Sequence, residues 1–312
     1  MSTGASYDII IVGSGPAAYQ AALYCKDVNI LILEGGIVGN NGPGGQLTTT
    51  TLVDNYPGFP HGINGPELME IMKKQVKHPN VVTKEQTVTN IEEKDKVFCV
   101  KTEKDKFIAK SVIIATGAQA KRLDAKGTDI FWQNGISSCA VCDGFLFLDK
   151  VVAVIGGGDS AMEEALHLAS IASKVYIIHR RDEFRSRKDM LERAEKNKKI
   201  EILRSYTLVE AKGNETLQSI AIKNLKTDEI EDLEVSGMFF AIGHTPNTSF
   251  IADNFLKKDE TGYLLVDKNL QTSREGIFAC GDVQDKIYRQ ANTAAATGCL
   301  AAISALKYLK NQ

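Results

Sequence analysis

The chain has 312 residues, of which 43% are hydrophobic and 24% charged, with a net charge of -2. That length leaves room for two cores, and the near-neutral balance speaks against a general affinity for nucleic acid or anionic membrane. No apolar run approaches the length of a membrane span. The opening MSTGASYDII has neither the basic start of a signal peptide nor an Arg-rich transit character, so the expected location is cytoplasmic. Six cysteines in a chain of this size do not make a secreted disulfide framework. Cys25, Cys99, Cys280 and Cys299 are scattered, and only Cys139 and Cys142 sit close together.

Tyr7 to Val12 is a branched apolar run ending at a glycine, which predicts a buried parallel strand. An Ala-rich helix follows Gly15, and Asn29 to Leu33 predicts a second buried strand. Val112 to Gly117 predicts a strand ending in a turn. The opening pattern then returns, with a strand at Lys150–Ile155, a helix at Ser160–Ser170 and a strand at Lys174–Ile178. Met238 to Gly243 and Gly276 to Cys280 predict further strands, and Thr293 to Leu309 an Ala-rich helix. The two βαβ starts lie too far apart for a solenoid repeat and suit two nucleotide-binding domains. The expected fold class is therefore α/β, with two Rossmann-like three-layer domains, the second inserted into the first. The expected boundaries are 1–117 with 247–312 for the outer domain and 118–246 for the inserted one.

Gly13-Ser14-Gly15-Pro16-Ala17-Ala18 is a GxGxxA fingerprint between strand and helix. Gly13 permits the tight turn, Gly15 lets the backbone approach a pyrophosphate, and Ala18 allows close helix–strand packing. Phosphates then meet free N–H groups at a helix N-terminus. Glu34 ends the second strand, where a carboxylate can accept hydrogen bonds from ribose hydroxyls. Gly156-Gly157-Gly158-Asp159-Ser160-Ala161 repeats the fingerprint without that acid. Its second strand ends in His179-Arg180-Arg181, with Arg185 close behind. Guanidinium groups bind a ribose 2′-phosphate that a carboxylate would repel, so this site reads as one for NADPH rather than NADH. The alternative is that the basic run is a solvated helix face, since Arg187 and Lys188 follow. Two dinucleotides on one chain imply that one is a flavin, FAD at the first site. Gly281-Asp282, after an apolar strand, is similar to a second FAD fingerprint.

Cys139-Ala140-Val141-Cys142 is a CxxC pair. A four-cysteine zinc site would lack two ligands, and no histidine lies within twenty residues, so no metal is expected. The pair reads either as a redox disulfide whose potential a flavin can address or as two structural thiols. Asp143 follows at once. It could supply the proton that dithiol interchange needs, or it could cap a helix or turn.

The ordered set GSGPAA, GGQLTTTT, NYPGFP, ATGA, CAVCDG, GGGDSA, HRR, AIGHTPNT, GDVQD and YRQA resembles low-molecular-weight thioredoxin reductases, particularly the fungal-type members. The likeness runs nearly end to end. It implies a homodimer that passes electrons from NADPH through FAD and an active-site disulfide to thioredoxin. Carried over residue by residue, it implies FAD contacts at Ser14, Gly15, Pro16, Ala17, Glu34, Gly45, Gln46, Asn55, Val88, Gly117, Asp282, Arg289, Gln290 and Ala291. The implied NADPH contacts are Gly156, Gly158, Asp159, Ser160, His179, Arg180, Arg181, Arg185 and Ile242. The implied redox disulfide is Cys139–Cys142, with Asp143 as the acid.

Three features depart from the family pattern. The run after Gly144, FLFLDKVV, is shorter than in fungal relatives. Asn134 stands where bacterial relatives often carry Arg, and Asn292 to Ala296 replaces a more usual Ile-Thr-Ser-Ala-Gly. A flavin-dependent dithiol oxidase would not need the second glycine motif or Arg180 and Arg181. The larger glutathione-reductase type spaces its cysteines differently and adds a dimer domain. A non-catalytic nucleotide sensor has no use for the cysteines. Phe145 and Phe147 are read either as partner anchors or as part of a core strand. One domain would carry both hydride donor and disulfide, so a swivel is expected, hinged near Ala115–Gly117 and Gly243–Thr245.

Overall fold

The computed structural model describes residues 5–36, 42–50 and 52–312. The opening residues 1–4, and Thr51 at the end of the GGQLTTTT motif, lie outside them. The chain divides into two compact units, Met1–Gln119 with Thr245–Gln312, and Ala120–His244.

The discontinuous unit is built on a seven-stranded sheet. Ser6–Val12 lies at its centre, parallel to Ile30–Leu33 on one side and to Lys106–Ile114 on the other. Val81–Lys84 extends the first side, and Ile277–Ala279 pairs with the end of Lys106–Ile114, both in parallel. Val97–Thr102 and Val88–Lys94 continue from Lys106–Ile114 as an antiparallel meander. Ile9, Ile10 and Ile11 are all fully buried, so the central strand must be covered on both faces. On one face Ile9 and Ile11 pack with the helices Pro16–Cys25, Gly65–Gln75 and Ala291–Lys310. On the other, Ile10 and Val12 pack with Phe98, Val100, Ile251 and Leu256. The expected strand Val112–Gly117 is the last part of the longer Lys106–Ile114.

The Ala-rich tail helix has a specific packing role. A Cβ on Gly298 would lie 2.2 Å from the Ala17 carbonyl oxygen, so only glycine lets the last helix approach the first this closely. Ala18, Ala21 and Ala22 of the first helix and Ala301, Ala302 and Ala305 of the last are buried in the same core.

The contiguous unit holds a five-stranded parallel sheet. Its order is Ile136–Ser137, Gly237–Phe240, Val151–Ile155, Lys174–His179 and Ile200–Arg204. Helices Asp159–Ala169 and Lys188–Lys196 cover one face through Met162, Ala165, Leu168, Met190 and Ala194. The other face packs on an antiparallel sheet of Tyr206–Gly213, Leu217–Asn224 and Ile230–Glu234. The expected strand Met238–Gly243 ends earlier, at Phe240.

The chain passes between the units at two places, and each unit ties its own ends of these passages. In the discontinuous unit, Thr116 Oγ1 donates to the Asn247 carbonyl and Asn247 Nδ2 donates back to the Thr116 carbonyl, both at 2.8 Å. In the contiguous unit, Lys121 N donates to Gly243 O at 2.9 Å.

Candidate active site

The first glycine turn connects Val12 to the helix Pro16–Cys25. Gly13 has φ +123°, and a Cβ there would lie 2.3 Å from the Ala115 carbonyl oxygen, so no other residue fits. Gly15 is the opposite case, because a Cβ there would meet nothing within 4 Å. Pro16 starts the helix with an N–H that needs no partner. The remaining N–H groups of the first turn face a cradle that a side chain at Gly15 would fill, which fits a pyrophosphate.

Around this turn the expected FAD residues collect at the C-terminal ends of the parallel strands. Ser14 Oγ donates to the Glu34 carbonyl at 2.9 Å and accepts from Gly44 N at 2.8 Å. This fixes the short 3₁₀ turn of Gly45 and Gln46, where Gln46 Nε2 donates to Ala118 O at 2.9 Å. Gly117, at φ +67°, has open space where a Cβ would be. A Cβ on Gly281 would lie 2.9 Å from that of Ala17, so the second fingerprint abuts the first helix. Asp282 is pushed up to about 7, mainly by burial and next by Asp285, while Arg289 opposes the rise. Asn55 Nδ2 donates to Gln290 Oε1 at 3.5 Å, and Asn292 Nδ2 donates to Asn55 O at 2.7 Å. Gln290 also caps the helix that begins at Ala291. Val88 opens its strand beside Thr87, whose hydroxyl accepts from Gly36 N at 3.1 Å.

Glu34 has two neighbours that sequence did not indicate. Its side chain is only 2% exposed, and each oxygen accepts one hydrogen bond, which leaves a lone pair on each. Tyr19 OH donates to Oε1 at 2.6 Å and Lys73 Nζ to Oε2 at 2.7 Å. Burial and this hydrogen bond push the Tyr19 phenol well above its ordinary range. Glu34 therefore ties the end of its strand to two helices. Neither Tyr19 nor Lys73 was foreseen, because their approach depends on how the helices pack.

The second glycine turn lies between Ile155 and the helix Asp159–Ala169. Gly158 again has nothing within 4 Å of a notional Cβ. A Cβ on Gly157 would lie 2.3 Å from the His179 ring. That ring is buried, stacks on Phe184 at 4.6 Å, and has Nε2 3.1 Å from Glu183 O. Burial, followed by the charges of Arg181, Arg180 and Arg185, holds its pKa below the usual value, while the Glu183 carbonyl opposes this. His179 thus supports the turn from behind. Arg180, Arg181 and Arg185 are exposed and, among the described residues, their guanidinium groups form no ion pair. They stand in the loop before the helix Lys188–Lys196 rather than on a helix face. Arg185 N donates to Gly157 O at 2.9 Å, and Arg187 N donates to Asp159 Oδ1 at 2.7 Å, which folds this loop onto the turn. Ser160 follows Asp159 in the helix, and Ile242 is half-buried against the core. Three unpaired cations beside an open glycine turn fit a ribose phosphate.

Cys139 and Cys142 form a disulfide, which decides between the two readings of the pair. Cys139 caps the one-turn helix Ala140–Asp143, its sulfur accepting from Cys142 N at 3.2 Å. Asp143 therefore ends this turn and stands at the N-cap position of the next one, Gly144–Phe147. Its carboxylate is buried and accepts a hydrogen bond from Ser137 Oγ. No sequence signal marked Ser137. The FLFLD run is not a strand but a 3₁₀ turn, Gly144–Phe147. It splits the two phenylalanines: Phe147 is 7% exposed and packs on Phe239, while Phe145 is 40% exposed. Val141, Leu146 and Leu148 are exposed beside it.

Among the described residues, no group of His, Cys, Asp and Glu could hold a metal ion, and no helix is long and apolar enough to cross a membrane.

Two open glycine turns on separate units, and a disulfide on one of them, define an oxidoreductase that couples dinucleotides to a dithiol. The family model for pyridine nucleotide-disulphide oxidoreductases matches residues 7–298. Thioredoxin reductase 2 of Arabidopsis thaliana is 49% identical over 97% of this chain and 82% of its own length. Thioredoxin reductase 1 of Saccharomyces cerevisiae is 46% identical over 96% of this chain and 97% of its own. The solved structure of thioredoxin reductase from Giardia duodenalis superposes with a TM-score of 0.92 at 38% identity, covering 98% of this chain and 99% of that one. The chain belongs to the pyridine nucleotide-disulphide oxidoreductases, and within them to the thioredoxin reductases.

Proposed function

We propose that this enzyme reduces the disulfide of thioredoxin with electrons from NADPH, through FAD and the Cys139–Cys142 disulfide. The observation that carries the reading is the disulfide held on the same unit as a glycine turn flanked by three unpaired arginines. The discontinuous unit, expected as 1–117 with 247–312, would hold FAD, and the segment 118–246 would hold NADPH. Ser14 to Ala17, Gly45, Gln46, Asn55, Val88, Gly117, Asp282 and Arg289 to Ala291 would surround the flavin nucleotide, and Glu34, held by Tyr19 and Lys73, would accept from its ribose hydroxyls. Gly156, Gly158, Asp159, Ser160 and Ile242 would line the NADPH pyrophosphate and nicotinamide side. Arg180, Arg181 and Arg185 would hold the 2′-phosphate, and His179 would shape the turn. When bound, the flavin relays an electron pair from the nicotinamide to the disulfide.

The chain's own residues do the thiol chemistry. Reduction opens the Cys139–Cys142 bond to two thiols. One sulfur attacks the substrate disulfide and the second resolves the mixed disulfide, so the enzyme's S–S bond re-forms as the substrate's breaks. In each of these two steps Asp143 takes the proton from the sulfur that attacks and returns it to the sulfur that leaves, so both thiol protons end on the substrate's two sulfurs. Family resemblance further supports a homodimer and a cytoplasmic location, which sedimentation and cell fractionation would test. The purified protein should be yellow and should bleach when NADPH is added without oxygen. Cys139→Ser and Cys142→Ser should still bleach, but neither should reduce thioredoxin. Thioredoxin reduction by either variant at the normal rate would remove the disulfide from the pathway.

A further inference from the structure

The loop between the strand Lys174–His179 and the helix Lys188–Lys196 carries Arg180, Arg181 and Arg185, and among them a carboxylate, Asp182. By charge alone an acid is out of place beside a phosphate site. This one is engaged elsewhere. Lys226 Nζ lies 2.7 Å from each of its oxygens, and Ser205 Oγ donates to Oδ1 at 2.8 Å. Lys226 first, and then the Ser205 hydroxyl, hold the Asp182 carboxyl below its usual pKa.

Ser205 is the buried corner between the strands Ile200–Arg204 and Tyr206–Gly213. Its φ of +62° is one that a residue with a side chain keeps only where its surroundings impose it. Its hydroxyl, N–H and carbonyl are all used. Besides the bond to Asp182, its N–H donates to Arg181 O at 3.4 Å and its carbonyl accepts from Leu225 N at 2.7 Å. The arginine loop is thus fastened twice within its unit. Arg181 and Asp182 are tied to Ser205 and Lys226, and Arg185 and Arg187 are tied to the glycine turn.

We propose that Asp182 is a positioning residue for recognition of the nucleotide 2′-phosphate, holding the arginine loop in place through Ser205 and Lys226. This rests on the reading of Arg180, Arg181 and Arg185 as the 2′-phosphate site. Two effects of Asp182 oppose each other. Its charge repels a phosphate, while its hydrogen bonds fix the backbone from which the guanidinium groups reach that phosphate. Asp182 and Lys226 are both more than half exposed, so the charge is countered by Lys226 and screened by solvent and salt. A guanidinium whose backbone shifts loses a directional, charge-assisted bond outright. The positioning effect therefore outweighs the repulsion.

The test measures binding of NADP⁺ and of NAD⁺ to the holoenzyme by calorimetric titration, with Asp182→Ala, Asp182→Asn and Lys226→Met. Asp182→Ala should raise the dissociation constant for NADP⁺ about five-fold or more, as for the loss of one charge-assisted hydrogen bond, and that for NAD⁺ less than about two-fold. Asp182→Asn keeps Oδ1, which accepts from both partners, and should recover most of the loss. Lys226→Met should also weaken NADP⁺ more than NAD⁺. Were Asp182 only a nearby charge, Asp182→Ala would tighten NADP⁺ binding while Lys226→Met weakened it, and that pair of opposite signs overturns the proposal. Unchanged NADP⁺ affinity in Asp182→Ala overturns it as well. Equal weakening of both nucleotides, or a loss that Asp182→Asn does not reverse, makes the role one of general folding and overturns it too. Wild-type enzyme that binds the two nucleotides alike removes the 2′-phosphate reading itself, and with it this proposal.

Discussion

Lys73 and Glu34 come from different elements, a helix turn and a strand end, and meet at 2.7 Å with the carboxylate shielded from water. The Lys73 side chain is 47% exposed, so the pair is only partly desolvated. Removing Lys73 leaves a buried carboxylate with Tyr19 as its remaining side-chain donor. Fully buried pairs lose 3–5 kcal/mol in this way, and solvent at the lysine reduces that to about 1–2 kcal/mol. Lys73→Met should therefore lower the melting temperature by a few degrees, and adding Glu34→Gln should restore most of it. A double variant no better than the single one would mean that the pair is not coupled.

On the proposed reading, cofactor choice depends on the loop after Lys174–His179. Arg180 and Arg181 should each contribute on the order of 1–3 kcal/mol to holding a 2′-phosphate. Replacing both by neutral residues should raise the Michaelis constant for NADPH much more than that for NADH. Unchanged preference in steady-state kinetics would remove them from the site.

The two phenylalanines after the redox pair should part company. Phe147 fills the core against Phe239 and closes over Gly237, so Phe147→Ala should cost about 3–5 kcal/mol and impair every activity through stability. Phe145 is exposed, as are Val141, Leu146 and Leu148 close to it in the sequence. Phe145→Ala should weaken turnover with thioredoxin while sparing a small artificial disulfide. Equal loss on both substrates would argue against docking there.

How much of this was readable in advance varied with the range of the interaction. The strand–turn–helix units around Gly13 and Gly156 were legible because their signals are local: apolar runs, glycines at fixed offsets, and a helix that starts at once. The antiparallel sheet of Tyr206–Gly213, Leu217–Asn224 and Ile230–Glu234 was not foreseen, since its strands are mixed polar and apolar and one face is solvated. Glu34 was found, but its burial was not, because Tyr19 and Lys73 reach it only after helices dock. Ser137 was missed for a simpler reason: the first of two serines before a cysteine has no pattern to mark it. The split between Phe145 and Phe147 depended on a 3₁₀ turn, which alternation in a five-residue run could not distinguish from a strand.

Asp282 gives a pH dependence with a definite sign. Its folded pKa, pushed up to about 7, lies above the ordinary value of 3.8. Between these two values the unfolded chain releases the proton that the folded chain retains, so stability falls as pH rises through this window and stays low above it. Asp282→Asn should accordingly stabilise the flavin-free protein, and by more at pH 8 than at pH 5.5. Melting curves at both pH values would check this. An equal gain at the two would mean that burial does not govern this carboxyl group.

The fit of Gly298 against Ala17 has a consequence for synthesis. The first helix of the chain completes its packing only against the last one, and Ile277–Ala279 joins a sheet whose first strand was made at the very start. A nascent chain therefore cannot close the discontinuous unit until the helix Ala291–Lys310 has left the ribosome. The contiguous unit carries every strand of its parallel sheet between Ile136 and Phe240, so it can form while the rest waits. The unit bearing Cys139 and Cys142 would then be folded, with these thiols in reach of cellular oxidants, before the discontinuous unit has closed.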